Sequence, residues 1–112
     1  MISKEMIGAS TIPIILSILC EGEDYGYQII KKVKKYSNGT VEWSEPMLYP
    51  VLHRLEKNNH IKSQWRILDN QRKRKYYSIT TEGRALLASR KEEWTEMMKM
   101  LIKMWNLKLS EI

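Results

Sequence analysis

Between Ser44 and Asn59 the chain reads SEPMLYPVLHRLEKNN, with Leu48, Val51, Leu52 and Leu55 recurring at i, i+3, i+4 and i+7. That period places the apolar side chains on one stripe of a helix, facing a core. Ser44 is a suitable N-cap, and Glu45 in the first turn complements the positive end of the helix dipole. The opposite face carries Pro46, Pro50, His53 and Lys57, flanked by Tyr49 and Arg54. A solvated helix face usually consists of Glu and Lys. An aromatic ring, a histidine and basic groups suit a helix lying in a DNA groove instead. Pro50 stands past the first turn, where it removes one backbone hydrogen bond.

Upstream, residues 1–10 read as a short arm, about one helical turn, with Lys4 available to a phosphate. Thr11 then caps a helix with Pro13 just inside it, a position that tolerates proline. This helix runs to about Leu19, and Ile14, Ile15, Leu16, Ile18 and Leu19 make it apolar nearly all round. Such a helix has to be buried between two partners. Glu21-Gly22-Glu23 forms a turn, and Asp24 caps a second helix that ends at Ser37-Asn38-Gly39. In it Ile29, Ile30 and Val33 face inward, while Lys31, Lys32, Lys34 and Lys35 form a solvated face. Thr40 to Trp43 is expected as a short strand.

After Asn59 the period changes to two. Ile61, Ser63, Trp65 and Ile67 alternate with Lys62, Gln64, Arg66 and Leu68, which predicts a half-buried strand. Asp69-Asn70-Gln71 turns the chain, and Lys75 to Ile79 returns as a second strand. Thr80 caps a last helix, expected to reach about Leu109 without another Pro or Gly after Gly83. At 1.5 Å per residue this is roughly 40 Å, far beyond the usual helix length. Trp94, Met98, Leu101 and Trp105 form a coiled-coil-like seam, widened by Met97, Met104 and Leu109. Both this helix and the two-sided first helix need a partner, so a symmetric dimer is expected. Its interface would use Ile14, Ile18, Trp94, Met98, Leu101 and Trp105.

These elements carry a resemblance. Leu48-Tyr49-Pro50-Val51-Leu52-His53-Arg54-Leu55-Glu56 resembles the LYPxLxRLE stretch of the PadR-like winged-helix transcriptional regulators. Tyr25-Gly26-Tyr27-Gln28-Ile29-Ile30, Arg74-Lys75-Tyr76-Tyr77 and Thr80-Thr81-Glu82-Gly83-Arg84 match further segments in the family's order. Met47 stands where the family often has Thr, and the wing tip lacks the usual glycines. The resemblance implies that residues 44–59 are the recognition helix, proline included, and that the hairpin is the wing. It further implies a mainly α (α+β) fold: a winged helix-turn-helix over residues 1–80 followed by a long C-terminal dimerisation helix over 81–112, as one structural unit.

Charge and composition sharpen the functional expectation. With 112 residues, 43% hydrophobic content and 29% charged, the chain is an ordinary one-domain globular protein. A net charge of +6 and a pI near 9.5 favour polyanions such as nucleic acid, although excess lysine for solubility would give the same numbers. Arg72-Lys73-Arg74-Lys75 repel one another, so a phosphate backbone explains the run better than the folded state does. The alternative is a solvated run on a mobile loop. Cys20 is the only cysteine, which excludes an internal disulfide and suits a reducing cytoplasm. The apolar run ending at Cys20 is broken by Pro13, preceded by Glu5 and too short for a membrane span, so it reads as a core helix. His53 and His60 are the only histidines, and neither has a second ligand at metal-binding spacing. Neither a phosphate loop nor a nucleophile–base pair is apparent. No enzyme, metal or cofactor is expected.

The leading expectation is a dimeric, sequence-specific DNA-binding regulator, most simply a repressor. Ser44, which caps the recognition helix, belongs to the expected DNA-binding set, in which Pro46, Met47, Tyr49, Pro50, His53 and Arg54 would meet base edges and the groove wall. Lys57 with Arg72, Lys73, Arg74 and Lys75 would hold phosphates. Two-fold symmetry calls for a pseudo-palindromic operator; by resemblance its half-sites look like ATGT/ACAT inverted repeats. The rival from another class is a winged-helix module that binds protein instead of DNA. Trp94 near a two-fold axis, with Met97, Met98 and Ile14 and Ile15 of the first helix, is either plain seam packing or a flat slot for planar lipophilic compounds. The resemblance points to the slot, since some short PadR-like repressors bind flat aromatic drugs between paired tryptophans of this helix.

Overall fold

The computed structural model describes residues 1–108 and 110. Its order is α1 (Lys4–Cys20), α2 (Gly26–Tyr36), α3 (Glu45–Lys57), β1 (Ile61–Ile67), β2 (Lys73–Ile79) and α4 (Thr81–Trp105).

α1 begins well before the expected Thr11. Ser3 caps it, its hydroxyl accepting from the Met6 amide, and Glu5 occupies the first turn. Thr11 does not cap: its hydroxyl donates back to the Ile7 carbonyl at 2.8 Å. Pro13 therefore lies in the helix interior, where it deletes one backbone bond as proline must. Burial of Ile15, Leu16, Ile18 and Leu19, just past the proline, holds the helix through this defect.

Asp24 also departs from its expected capping role. The N-cap of α2 is Tyr25, with no side-chain cap bond. Asp24 instead exchanges backbone bonds with Tyr77 on β2, its amide donating at 3.0 Å and its carbonyl accepting at 2.7 Å. Its carboxylate accepts from the Tyr25 amide and pairs with Lys32 at 2.5 Å. That ion pair, above all the hydrogen bond in it, holds the Lys32 ammonium above the ordinary lysine range. This isolated bridge fills the place beside β2 that a third strand would occupy.

The expected strand at residues 40–43 does not form. Val41 and Trp43 are buried in an extended segment, and the Val41 amide is bound by the Ser37 hydroxyl, which removes it from any ladder. α2 ends through left-handed Asn38 and Gly39.

β1 and β2 form one antiparallel hairpin, with Ile61 opposite Ile79 and Ile67 opposite Lys73. The expected half-burial of β1 holds only at its start: Ile61 is buried, whereas Trp65 and Ile67 extend past the core into solvent. The core beneath includes Ile15, Leu16, Leu19, Ile29, Leu48, Leu52, Leu55, Ile61, Tyr77 and Leu87, with Ile18, Val33, Val41, Trp43 and Ile79 in the same cluster. Val51, the remaining member of the predicted stripe on α3, packs at its edge.

α4 is capped by Thr80, whose hydroxyl accepts from the Gly83 amide and donates to the Asn59 carbonyl. Gly83 leaves no room for a side chain, because a Cβ there would run into the His60 carbonyl. The helix stops at Trp105, where Asn106 adopts the left-handed conformation. It is shorter than predicted, and Leu109 lies outside the described residues. Beyond Leu87 the helix leaves the core, exposing Met97, Met100, Met104 and Trp105, and the molecule reaches 55 Å in its long dimension.

Candidate nucleic-acid interface

The structure brings most of the predicted contact residues to one side. Ser44 caps α3, accepting from the Met47 amide at 3.3 Å. Pro46, Tyr49, Pro50, His53, Arg54 and Lys57 are all exposed along that helix. Met47 is the exception. It is half-buried and packs against the core, which reduces what it offers to a base edge.

The four cations of the wing separate into two pairs, which corrects the expectation that the folded state gives them no partners. Arg74 lays its guanidinium over the Tyr25 ring at 4.0 Å. The Lys75 ammonium lies 3.5 Å from Glu56 and 5.5 Å from the centre of the Tyr77 ring. Arg72 and Lys73 are exposed at the wing's outer end. The run therefore contains two cations that brace the hairpin against α2 and α3, and two presented to solvent.

Bracing continues on the far side of the hairpin. Arg66 pairs with Glu23 and stacks on Tyr76 at 4.6 Å, and Tyr76 meets Tyr25 edge-on at 5.5 Å. Charged and aromatic contacts of this kind are worth about 0.5–1 kcal/mol each at exposed sites. Together they fix the wing relative to the recognition helix.

Between them lies a slot of about 570 Å³. Its walls are the start of α2 (Tyr25, Gly26, Tyr27), the exposed side of α3 (Tyr49, His53) and the wing (Trp65, Lys73, Arg74, Lys75), with Tyr77 at its floor. Among the described residues, three cations and no carboxylate line it. Burial, helped by nearby Glu45, raises the Tyr49 phenol above its ordinary range. Burial, then Tyr49 and Glu56, push Tyr77 up to about 12. Both hydroxyls are thus neutral donors at physiological pH. Tyr25, Tyr27 and Trp65 were not among the predicted site residues. In the sequence Tyr25 and Tyr27 stand out only as part of a family motif, and strand alternation places Trp65 on the inward face.

A second groove, of about 590 Å³, runs between α1, the end of α2 and α4. Ile14, Ile18 and Trp94 line it, with Tyr36 and Glu21 at its edge, joined by a hydrogen bond of 2.8 Å. The predicted ligand set is only partly assembled there. Ile15 is wholly buried in the protomer's core, because α1 turns it away from the groove. Met97 and Met98 follow Trp94 along α4 and do not line the groove. Of the expected dimer residues, Ile18 is mostly spent on the protomer's own core. Trp94, Met98 and Leu101 are half-buried along α4, and Trp105 at its end is exposed.

The fold and this arrangement have counterparts. The model of the Transcriptional regulator PadR-like family matches residues 15–89, from the middle of α1 through the first turns of α4. The chain belongs to this family. It is therefore a transcriptional regulator, not an enzyme. A transcriptional regulator from Clostridium thermocellum is 37% identical and superposes with a TM-score of 0.84, covering 92% of this chain and 97% of that one. A PadR-like transcriptional regulator from Bacillus cereus is 28% identical, with a TM-score of 0.80 over 94% of this chain and all of the other. An uncharacterised protein from Lysinibacillus sphaericus is 33% identical over 101 residues, 90% of this chain and 93% of its own. The family's wing and C-terminal helix correspond to the β1–β2 hairpin and α4. Among the described residues, no helix is long and apolar enough to cross a membrane.

Proposed function

We propose that the chain is a homodimeric, operator-specific DNA-binding repressor in the cytoplasm. The observation that carries this reading is the slot between α3 and the wing, which joins exposed Tyr49 and His53 to three wing cations, with no carboxylate among the described residues of its walls. A polyanionic strand lying there would place α3 in the major groove. Tyr49, Pro50, His53 and Arg54 would meet base edges, while Lys57, Arg72 and Lys73 hold phosphates. Arg74 and Lys75 would position the wing, with phosphate contact secondary.

Residues 1–80 form the DNA-reading part, and 81–112 dimerise it through the apolar side of α4. A two-fold dimer would read a pseudo-palindromic site with half-sites about 34 Å apart, one turn of the duplex. Planar lipophilic compounds entering beside Trp94 would change the angle between the two DNA-reading parts and relieve repression. The test is titration of the duplex lying upstream of the protein's own gene, against mixed-sequence DNA, over a range of salt. Selective binding that weakens steeply with salt supports the reading. Absence of binding to either duplex at low salt overturns it.

A further inference from the structure

The outer half of β1 carries two apolar side chains that the fold leaves in water: Trp65 is 62% exposed and Ile67 75% exposed. Both belong to the strand face that starts at buried Ile61 and continues through Ser63, whose hydroxyl donates to Glu56 on α3. Alternation along the strand aims them towards the side of the hairpin occupied by α3, but beyond the end of the core. Directly across the ladder stand Lys75 opposite Trp65 and Lys73 opposite Ile67. The Lys75 ammonium lies 5.9 Å from the indole centre. The result is an apolar rib edged by cations.

Among the described residues, the Lys75 ammonium flanks the Trp65 ring, but neither Trp65 nor Ile67 is covered by the core. Thr or Tyr would serve the ladder at either position with less apolar surface in water, and an exposed indole is one of the largest apolar surfaces a side chain can offer to a partner. Its surroundings select that partner. Trp65 shares the slot with His53 and Tyr49, and among the described residues three cations and no carboxylate line it. A surface that combines flat apolar area with closely spaced positive charge matches a deoxyribose–phosphate strand. Phosphates meet the lysines, and the weakly polar sugar edge meets the ring.

We propose that Trp65 and Ile67 pack against the deoxyribose edge of the strand that lies along the slot between α3 and the wing, with Lys73 on a flanking phosphate. This inference rests on the DNA-binding reading above. It assigns the wing a contribution of a different kind from its charges. Burying apolar surface releases no counterions, so this share of the affinity does not weaken with salt as phosphate contacts do.

The experiment titrates the full chain, and its Trp65→Ala, Trp65→Phe and Lys73→Ala variants, with a labelled mixed-sequence duplex at several salt concentrations. Trp65→Ala is expected to weaken binding about tenfold at every salt concentration, leaving the slope of log Kd against log salt unchanged. Trp65→Phe should keep most of the affinity. Lys73→Ala should lower the slope by about 0.9, the share of one phosphate. Thermal melting of Trp65→Ala should match that of the native chain, since the side chain is largely in solvent; a large loss of stability would overturn the assignment. If the native chain binds duplex and Trp65→Ala binds it equally well, the rib alone is overturned, and an acidic protein surface becomes its occupant. If the native chain binds no duplex, the DNA reading falls and the rib with it.

Discussion

The Tyr49 ring lies so close to the backbone of Gly26 that a Cβ at residue 26 would sit 2.6 Å from the phenolic oxygen and 2.9 Å from the carbon bearing it. Gly26 opens α2 and needs no left-handed backbone, so the glycine is there for space. The contact ties the first turn of α2 to the exposed side of α3 and sets where Tyr49 points. Gly26→Ala is expected to push the ring aside and reduce discrimination between operator and mixed-sequence DNA about tenfold. Helix propensity favours alanine by roughly 1 kcal/mol, so the melting temperature should change little. In a Tyr49→Ala background, Gly26→Ala should have no further effect on discrimination. Additive losses in this double-mutant cycle would show that the two residues act separately.

The division of the wing cations gives a second expectation. Replacing Arg72 and Lys73 by alanine should weaken binding to operator and mixed-sequence DNA alike, and lower the salt slope by about 0.9 for each phosphate no longer neutralised. Arg74→Ala removes a stack on Tyr25, and Lys75→Ala removes the partner of Glu56. These variants should cost roughly 0.5–1 kcal/mol of stability, read by denaturant melting, whereas the outer pair should not. Equal stability losses from both pairs would undo the distinction.

Much of this was legible in the sequence, because the decisive patterns are local. The period of Leu48, Leu52 and Leu55 together with the Ser44 cap fixes α3, and strand alternation followed by turn residues fixes the hairpin. The misses are places where a distant partner decided the outcome. Asp24 looks like a helix cap until Tyr77 arrives from β2 to bind its backbone. The extended segment before α3 looks like a strand until the Ser37 hydroxyl takes the Val41 amide. Thr11 satisfies every local rule for a cap, yet the Ser3 cap upstream and the buried residues past Pro13 make a longer helix the better solution. At the site, composition revealed a cluster of cations but not which were already partnered. That depended on Tyr25 and Glu56, far from residues 72–75 in sequence.

The raised pKa of Tyr77 and of Lys32 predicts how stability falls in alkali. Tyr77 keeps its proton to about 12, whereas the unfolded chain loses it near 10. The folded state therefore binds the proton more tightly, and stability should decline as pH rises from about 10 to about 12, by at most about 2.5 kcal/mol for this group. The Lys32 shift acts in the same direction, since its hydrogen bond to Asp24 is complete below the unfolded lysine range and is lost above the folded one. Tyr77→Phe should flatten the decline seen in urea midpoints over that window. An unchanged slope would mean that Tyr77 ionises as freely in the folded chain as in the unfolded one.

Exposed Met97, Met100, Met104 and Trp105 beyond the core predict dimerisation through α4. Sedimentation at micromolar concentration should give a dimer for the native chain. Leu101→Glu should give a monomer, because a buried unpaired carboxylate costs several kcal/mol in an apolar seam. A well-folded native monomer would remove the symmetry argument for a palindromic operator.

Trp94 tests whether the dimer is also a sensor. Its indole lines a groove of about 590 Å³ with Ile14 and Ile18, while Glu21 stands at the edge, bound by the Tyr36 hydroxyl. The apolar wall suits a flat hydrocarbon surface, and the carboxylate at the edge suits a positive charge on it, although Lys91 in the same lining opposes that charge. A bis-benzimidazole dye carries both features. Adding it to the native chain should quench tryptophan fluorescence in a saturable way and weaken operator binding. In Trp94→Ala the quenching should fall sharply, even though Trp43, Trp65 and Trp105 remain to report on other sites. Glu21→Gln should weaken the dye and leave operator affinity without dye unchanged, because Glu21 does not line the slot between α3 and the wing. Relief of DNA binding requires the dye to bind the two arrangements of the dimer unequally, however tightly it binds either one. Full quenching in Trp94→Ala would move the dye to another site. Dye binding that leaves operator affinity untouched would leave the groove as packing space without a regulatory role.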